Sequence, residues 1–334
     1  MNARRWRGLL LLVTSAALVL AAGCSNIGNA ASPPAVEKPN LTVGVVPAVD
    51  SAGFFIALYQ GLFKEQGLNV TFEPVTSSET AISDQVKKIY DITGGNYVSY
   101  IQAEQSGEAK LDIFAEGSVM EPGAQGIYVM PNSPIKTLAD LENKTIGINA
   151  PNNILYLLVA SVLADHGIPV SKVHFKSDIP FPNMAAALKS GAINAAVLPE
   201  PFASSAEEQD GAVPLVDLNQ GATTSFPVQG YVVTKQWAQE YPKTLAAFYR
   251  ALEEGQEIAD TDRAAVQTAM EDIKPAMLAV DKETAAVMAL DSYPVSDGPA
   301  GSVDAVRLQR VANVMHQFLP FPQFSISTML TGSG

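Results

Sequence analysis

Short apolar runs alternate with segments of helical periodicity from Leu41 onwards, and the pattern restarts near Leu138. Short apolar runs predict strands, whereas apolar residues three and four positions apart predict helices. In the first round the predicted strands are Leu41–Val46, Leu68–Val75, Asp91–Gly94, Leu111–Val119 and Gly126–Met130. Strands that alternate with helices favour a mostly parallel sheet covered on both faces, so the sequence predicts an α/β fold.

The second round and a helical tail extend this pattern almost to the end of the chain. Its predicted strands are Thr145–Ile148, Val173–Phe175, Ala195–Leu198, Val213–Leu218 and Gly230–Thr234. The predicted tail helices are Pro242–Asp260, Asp262–Met270, Lys282–Leu290 and Val303–Phe318. Two α/β units predict two lobes, with residues 41–130 and 232–334 in lobe 1 and residues 131–231 in lobe 2. A chain that crosses twice between lobes forms a hinge about which they can close.

The N-terminus predicts export. Arg4, Arg5 and Arg7 precede a short apolar stretch that ends in Ala21-Ala22-Gly23-Cys24, which is typical of a signal peptide and too short to span a bilayer comfortably. The placement of Cys24 resembles the lipobox of bacterial lipoproteins, in which this cysteine is acylated and becomes the first mature residue. The alternative is an ordinary signal peptide with an incidental cysteine. We expect a signal peptide at 1–23, a flexible stalk at 24–40 and a lipid anchor on the extracytoplasmic face of the cell membrane.

Charge and cysteine content limit the partners and the sources of stability. The formal net charge is −13, and removal of a signal peptide carrying three arginines and no acids would make the chain still more acidic. Acidic surfaces repel nucleic acids and anionic headgroups, so no nucleic-acid partner is expected. Because Cys24 is the only cysteine, a lipidated chain has no internal disulfide and its fold depends on apolar burial. We expect a monomer.

Several fragments between Leu41 and Phe318 resemble a known family. They are Gly44-Val-Val-Pro47, Phe55-Ile-Ala-Leu-Tyr-Gln-Gly-Leu-Phe63, Ile135-Lys-Thr-Leu-Ala-Asp-Leu-Glu-Asn-Lys-Thr-Ile-Gly147 and Ala187-Leu-Lys-Ser-Gly-Ala-Ile-Asn-Ala-Ala-Val-Leu-Pro-Glu-Pro-Phe202. In order and spacing they resemble the solute-binding proteins of ABC importers, in the branch of nitrate, taurine, alkanesulfonate and thiamine-pyrimidine-precursor binders. The resemblance implies a two-lobed fold like that of type II periplasmic binding proteins. It also implies a small-molecule solute held in the cleft and delivered to a permease with its ATPase.

Candidate ligand contacts lie in loops after the predicted strands, where α/β folds bind ligands. They are Asp50, Ser51, Asn96, Tyr97, Asn149, Asn152, Asn153, Glu200 and Gln229. Asp50 and Ser51 suit a helix cap as well as a ligand contact, a cap is the favoured role of Asn96, and Tyr97 suits a lobe surface equally well. Three asparagines within residues 149–153 exceed the needs of one helix cap. Glu200, between two prolines, is expected to hold a fixed, outward-aimed carboxylate, with a solvated turn as the alternative.

The charge of these loops bears on the ligand. None of them carries lysine or arginine, whereas Asp50 and Glu200 are acidic. A sulfonate would depend on helix N-termini and amide donors alone. The sequence therefore favours a neutral or weakly basic organic ligand, such as a pyrimidine or another nitrogen heterocycle, over an alkanesulfonate. The aromatic residues Phe54, Phe181, Phe202 and Phe226 are cleft-wall candidates, although packing between elements explains each of them equally simply.

Signatures of catalysis are missing from the sequence. There is no phosphate-binding Gly-rich loop ending in Lys-Ser or Lys-Thr, no His-x-x-x-His pair and no Gly-x-Ser-x-Gly elbow. The three histidines are scattered, so neither a metal site nor a cofactor is expected. One alternative is an enzyme like the thiamine-pyrimidine synthases, which resemble the same fold family but use a cysteine-rich motif that this chain lacks. Another is a lipoprotein that senses a solute or binds a protein partner without import.

Overall fold

The structure is a computed structural model that describes residues 35–272 and 301–330. The signal peptide, Cys24, most of the stalk and the predicted helix Lys282–Leu290 lie outside the described residues. The strands are β1 (Asn40–Val45), β2 (Asn69–Pro74), β3 (Ile92–Asn96), β4 (Leu111–Val119), β5 (Gln125–Val129), β6 (Thr145–Gly147), β7 (His174–Lys176), β8 (Ala195–Pro199), β9 (Val213–Asp217) and β10 (Pro227–Thr234).

Helices cover both sheets that these strands form. They are α1 (Ala52–Gln60), α2 (Leu62–Glu65), α3 (Ser78–Val86), α4 (Tyr97–Ser106), α5 (Ile154–Asp165), α6 (Phe181–Lys189), α7 (Phe202–Asp210), α8 (Lys235–Glu240), α9 (Pro242–Thr261), α10 (Arg263–Asp272) and α11 (Ala305–Phe318). Short 3₁₀ turns lie at Val49–Ser51, Leu138–Leu141, Val170–Lys172, Gly221–Thr223 and Ile326–Met329. The sequence pattern did not predict α7, because its exposed face is strongly polar.

Both sheets are mixed, which corrects the expectation of mostly parallel pairing. The first has the order β2-β1-β3-β10-β4; β1 pairs parallel with β2 and β3, whereas β10 pairs antiparallel with β3 and β4. The second has the order β7-β6-β8-β5-β9; β6 pairs parallel with β7 and β8, whereas β5 pairs antiparallel with β8 and β9. The two sheets therefore share one topology, with the antiparallel strand in the same position.

The antiparallel strand of each sheet comes from the other half of the chain. After residues 120–124 the chain leaves β4 and enters the second sheet as β5, and after residues 218–226 it returns to the first sheet as β10. The predicted lobe boundaries put β5 in lobe 1 and the start of β10 in lobe 2. In the structure β5 belongs to the second sheet and all of β10 belongs to the first. Apolar patterning marks a strand but not its pairing partner, so the crossing strands were assigned to the halves that precede them.

Two clusters of buried apolar side chains support the sheets. One packs α1, α9 and α10 against the first sheet, and in it the rings of Phe63 and Phe248 lie 4.6 Å apart between centroids. The other is larger and runs from α4 through α5 and α11 to the second sheet. Truncating one of the buried phenylalanines to alanine would cost about 3–5 kcal/mol. The larger cluster reaches both sheets, so the core is continuous behind the space between them.

The last helix, α11, links the first sheet to one of the crossings. Arg307 Nη2 lies 2.8 Å from the buried carboxylate of Glu116 on β4. One turn further on, Arg310 donates to the carbonyls of Ala222 and Thr224, each at 2.7 Å, in the crossing 218–226. Among the described residues, no helix has both the length and the apolar composition needed to cross a membrane.

Candidate functional site

A small cavity lies between the two sheets, where β1, β3 and β8 end. Its volume is about 40 Å³, which is room for roughly three water molecules. Its polar walls come from both sheets and their adjoining helices, and consist of Asp50, Ser78, Asn96 and Gln229 on one side and Gln125, Asn149 and Asn153 on the other. Apolar side chains complete it, among them Val46, Ile154, Leu155, Phe181 and Val228. The cavity thus needs both halves of the chain to exist.

Asp50 is the ionisable residue of this lining. It belongs to the 3₁₀ turn Val49–Ser51 that follows β1, and its carboxylate accepts a long hydrogen bond of 3.5 Å from Ser51 Oγ. Burial raises the pKa of Asp50 from 3.8 to about 7, because the charged form loses its hydration. Within residues 35–272 and 301–330, no ion pair compensates this carboxylate. Asp50 is partly buried, and a carboxylate held at a small cavity without a cation is unfavourable unless something else supplies one.

Gln229, in β10, lies beside Asp50 and is 2% exposed. Its Oε1 is 3.2 Å from Ser51 Oγ, which also lies 3.1 Å from the carbonyl of Val46. Its Nε2 is buried and makes no hydrogen bond in the part of the chain that the structure describes. Ser51 is not part of the lining, so it supports Gln229 from behind. The predicted residue Gln229 therefore lines the cavity with a buried donor, Nε2, that lies near the Tyr231 hydroxyl and has no full hydrogen bond among the described residues.

Gln125 occupies the opposite wall and was not predicted from the sequence. It is the first residue of β5, is 3% exposed, and its Oε1 has no hydrogen-bond partner among the described residues. The available signal was a glutamine at the start of the run Gln125-Gly-Ile-Tyr-Val129, where a buried strand has no need for an amide. The predicted strand, Gly126–Met130, begins one residue after this glutamine.

Asn96 both caps α4 and lines the cavity. Its Oδ1 accepts from the backbone N–H of Ser99 at 2.9 Å, and its Nδ2 donates to Ser78 Oγ, also at 2.9 Å. Gly95 makes this arrangement possible, because a Cβ at that position would lie only 2.5 Å from Ser78 Oγ. The two roles weighed from the sequence, cap and cavity residue, are therefore compatible at Asn96.

The three asparagines of residues 149–153 have different positions. Asn153 caps α5, with Oδ1 accepting from the N–H of Leu155 at 3.1 Å, and its Nδ2 donates to Asn149 Oδ1 at 2.7 Å. Both of these asparagines line the cavity. Asn152 is exposed, has a left-handed φ of +54° and lies outside the lining. Asparagine tolerates this conformation well, which explains its presence in the turn.

Tyr97 and Glu200 also lie outside the lining. Tyr97 is fully buried beneath β10, where a Cβ on Gly230 would approach its hydroxyl to 2.4 Å. Glu200 is 3% exposed, and its Oε2 accepts from the backbone N–H of Ser204 at 3.2 Å, so the expectation of an outward-aimed carboxylate was wrong. The unpaired N–H groups in the first turn of α7 attract a carboxylate, which turns this side chain inward.

Of the four aromatic candidates, one reaches the cavity. Phe181 lines it, whereas Phe54, Phe202 and Phe226 are buried among core side chains outside the lining.

Hydrogen bonds join the two sides of the cavity directly. The N–H of Val49 donates to the carbonyl of Glu200 at 3.3 Å, and Asn149 Nδ2 donates to the carbonyl of Thr76, also at 3.3 Å. On the outside, Gln102 Nε2 on α4 donates to the carbonyl of Asn152 at 2.8 Å. The loop after β1 therefore contacts the loop after β8, and the loop after β2 contacts the loop after β6, so the two sides of the cavity meet.

Comparison with known proteins fits this geometry. The family model of the NMT1-like family matches residues 34–273. The chain belongs to the NMT1-like family. Among curated relatives, the nitrate import ATP-binding protein NrtC of Synechocystis is 27% identical over 248 residues, which are 68% of this chain and 36% of the relative. The chain spans about a third of the length of the curated relatives it matches.

Solved structures show how this NMT1-like chain folds. The alkanesulfonate-binding protein SsuA from Xanthomonas axonopodis pv. citri, bound to MOPS, has a TM-score of 0.75 at 17% identity and covers 89% of this chain and 99% of its own. The nitrate-binding protein NrtA from Synechocystis has a TM-score of 0.70 at 17% identity, with 88% and 85% covered. The predicted family resemblance and the predicted two-lobed binding-protein fold class are thereby confirmed.

Proposed function

We propose that this NMT1-like protein is the extracytoplasmic solute-binding component of an ABC importer and captures a small organic solute between its two sheets. The observation that carries this proposal is a cavity whose polar groups converge from both sheets, closed by hydrogen bonds between the two sides. Ligand sites of this kind are concave, with few precisely placed polar groups on mostly apolar walls. The structural neighbours that bind nitrate or alkanesulfonate support the same role.

In this proposal the two sheets are the centres of two lobes, and the crossings 120–124 and 218–226 are the hinge. Each hydrogen bond between the two sides contributes only about 1 kcal/mol net, so the lobes can part and close again. Closure around a solute covers most of its surface, and the closed form docks as a monomer on a permease served by an ATPase. The difference between the solute's affinity for the closed form and its affinity for the open form then determines how much of the protein is closed and able to dock.

The ligand contacts in this proposal are a revised set. Asp50, Asn96, Asn149, Asn153 and Gln229 contact the solute, joined by Gln125 on the second sheet. Of the remaining predicted residues, Ser51 supports Gln229, whereas Tyr97, Asn152 and Glu200 lie outside the lining and take no contact with the solute in this proposal. The two ligand types considered from the sequence are a nitrogen heterocycle, such as a pyrimidine, and an alkanesulfonate, and they differ in charge. The N–H groups of a heterocycle need hydrogen-bond acceptors among these residues, whereas a sulfonate needs donors.

The proposal includes a lipid anchor at Cys24 and no bond-making step. The basic, apolar and small-residue order of residues 4–24 supports export and acylation. Mass spectrometry of the mature N-terminus would show an acylated cysteine, and Cys24→Ser should release the protein from the membrane fraction. The residues that line the cavity include no cysteine, histidine or lysine, and the Oγ of Ser78 accepts hydrogen bonds from the N–H and the Nδ2 of Asn96.

Two measurements test the binding role. Native mass spectrometry of protein purified without refolding should show a small solute bound in one-to-one ratio, and the released solute should be chemically unchanged. Small-angle scattering of solute-free and solute-loaded protein should show a smaller radius of gyration in the loaded form. Identical scattering profiles in both forms, or a solute converted to a product, would contradict the proposal.

A further inference from the structure

The polar groups that line the cavity favour a solute of one charge over solutes of the other charges. We propose that the solute is a small cation carrying N–H donors, with its positive charge held against the carboxylate of Asp50, and that oxyanions are excluded. This inference rests on the proposed solute-binding function and goes further by naming the charge class. The cavity volume of about 40 Å³ limits the part of the solute enclosed in this conformation to a few non-hydrogen atoms.

The first support is the balance of charge. Asp50 lines the cavity, and the lining includes neither lysine nor arginine. An oxyanion would bring a second negative charge next to this carboxylate, in a space too small to hold a screening layer of water. A cation instead supplies the partner that the partly buried carboxylate of Asp50 lacks among the described residues. Charge balance therefore favours the cation.

The second support concerns the helix N-termini, which commonly bind anions through free N–H groups. At the start of α4, the N–H of Ser99 is bonded to Asn96 Oδ1 at 2.9 Å. At the start of α5, the N–H of Leu155 is bonded to Asn153 Oδ1 at 3.1 Å. The protein's own side chains thus occupy a donor at each of these two helix starts that an oxyanion would otherwise use.

The third support is a pair of unused amide atoms. Gln125 Oε1 and Gln229 Nε2 are both buried and have no partner in the described part of the chain. Both residues line the cavity, one from each sheet. A solute with N–H donors for Asp50 and Gln125 and one acceptor atom for Gln229 would satisfy all three groups. If a bound solute left these three groups without hydrogen bonds, their lost hydration would cost about as much free energy as the hydrogen bonds would contribute.

The other titratable groups around Asp50 do not change this balance. Tyr231 on β10 and Tyr100 on α4 are both buried, with pKa values raised by that burial, so both stay neutral near pH 7. Glu200, whose carbonyl accepts from the turn of Asp50, directs its own Oε2 to the N–H of Ser204. Glu79 on α3 accepts from Ser99 Oγ. These neighbours add negative or neutral groups and no cation.

The test uses three probes of equal size: glycinamide, which is cationic; glycolamide, its neutral isostere; and glycolate, an anion. Sodium nitrate is a fourth probe. Affinities are measured by calorimetry at constant ionic strength on protein freed of co-purified solute. At pH 7.0 we expect glycinamide to bind about ten-fold more tightly than glycolamide, because charge-assisted hydrogen bonds are the stronger ones. Glycolate and nitrate should not bind.

Acidity and substitution sharpen the test. Between pH 7.0 and 5.5 glycinamide stays protonated while Asp50, with a pKa of about 7, loses its charge. If neutral Asp50 binds glycinamide and glycolamide alike, the affinity for glycinamide should fall about six-fold and approach that for glycolamide. Glycolamide should change little. Asp50→Asn should remove both the preference for glycinamide and its pH dependence. Asp84→Asn, which removes a partly exposed carboxylate that pairs with Lys87, should leave both unchanged.

Several results would overturn the inference. They are tighter binding of glycolate or nitrate than of glycinamide, unchanged glycinamide affinity in Asp50→Asn, and no binding of any probe. The proposed function is judged separately by native mass spectrometry of the co-purified solute. A bound anionic solute would support the receptor role but contradict the proposal that the solute is a cation. Protein that carries no solute and shows one unchanged scattering profile would contradict both proposals.

Discussion

Replacing Asp50 by asparagine should make the folded protein more stable near pH 8, although it removes the charge that we assign to solute binding. An aspartate ordinarily titrates at 3.8, and burial raises the pKa of Asp50 to about 7. Each pKa unit corresponds to about 1.4 kcal/mol, so ionised Asp50 lowers the free energy of unfolding by up to about 4 kcal/mol. The side chain borders a cavity that admits water, so about 2 kcal/mol is a realistic lower figure.

The sign of the pH dependence follows from proton binding. Between pH 4 and 7 the unfolded chain has lost the Asp50 proton while the folded chain keeps it, so this residue makes stability fall as pH rises through that window. Above pH 7 its contribution is constant. Asp50→Asn should therefore match the wild type near pH 4 and exceed it at pH 8.

Thermal unfolding monitored by circular dichroism at pH 4, 6 and 8 measures this difference. For a chain of this length, 2–4 kcal/mol corresponds to a rise in Tm of about 4–8 °C at pH 8. Asp84→Asn, at a partly exposed surface site, should leave Tm within about 1 °C of the wild type at every pH. A Tm for Asp50→Asn that tracks the wild type from pH 4 to 8, or lies below it at pH 8, would refute the reasoning.

Three further predictions concern closure, the cavity wall and the crossing. Gln102→Ala removes a bond between the two sides outside the cavity and should weaken solute binding about two- to ten-fold in calorimetry with Tm nearly unchanged; equal affinity would remove this bond from closure. Gly95→Ala places a Cβ 2.5 Å from Ser78 Oγ and should abolish binding in the same assay while the circular dichroism spectrum stays native. Arg310→Lys loses the two-pronged contact with the crossing 218–226 and should lower the free energy of unfolding by about 1–3 kcal/mol in urea titration, whereas a shift below 0.5 kcal/mol would show that the charge alone suffices.

Local sequence patterns predicted the strands and helices well, but they did not predict which strands pair with each other. The strand Leu111–Val119 was predicted with its observed bounds, because an apolar run bounded by turns identifies a buried strand in either kind of sheet. The antiparallel pairing of β5 and β10 could not be predicted in this way. Which neighbour a strand joins depends on contacts between residues far apart in sequence, such as Gly230 with Glu116 and Gly95.

In the candidate site, too, residues with a signal in the neighbouring sequence were predicted, whereas residues that depend on contacts distant in the sequence were not. Asn96 and Asn153 were found because a polar residue before an apolar helical run is a local signal. Glu200 was placed in the wrong direction, because a short loop lets its carboxylate turn towards the first turn of α7. Gln125 was missed because burial of an amide at the start of a strand depends on what packs over it. Local rules identify caps, whereas unused buried groups are visible only once the fold is known.

The two unused amides have one more property in common, which joins the site to the hinge. Gln125 is the first residue after the crossing 120–124, and Gln229 lies on β10, which follows the crossing 218–226. Each therefore belongs to the strand that its sheet receives from the other half of the chain. A solute that bonds both amides ties together the two strands that emerge from the hinge, on opposite walls of the cavity. In the proposed mechanism this explains how a solute of few atoms controls closure: it acts on the segments whose rotation separates the lobes, where a small displacement moves a whole sheet.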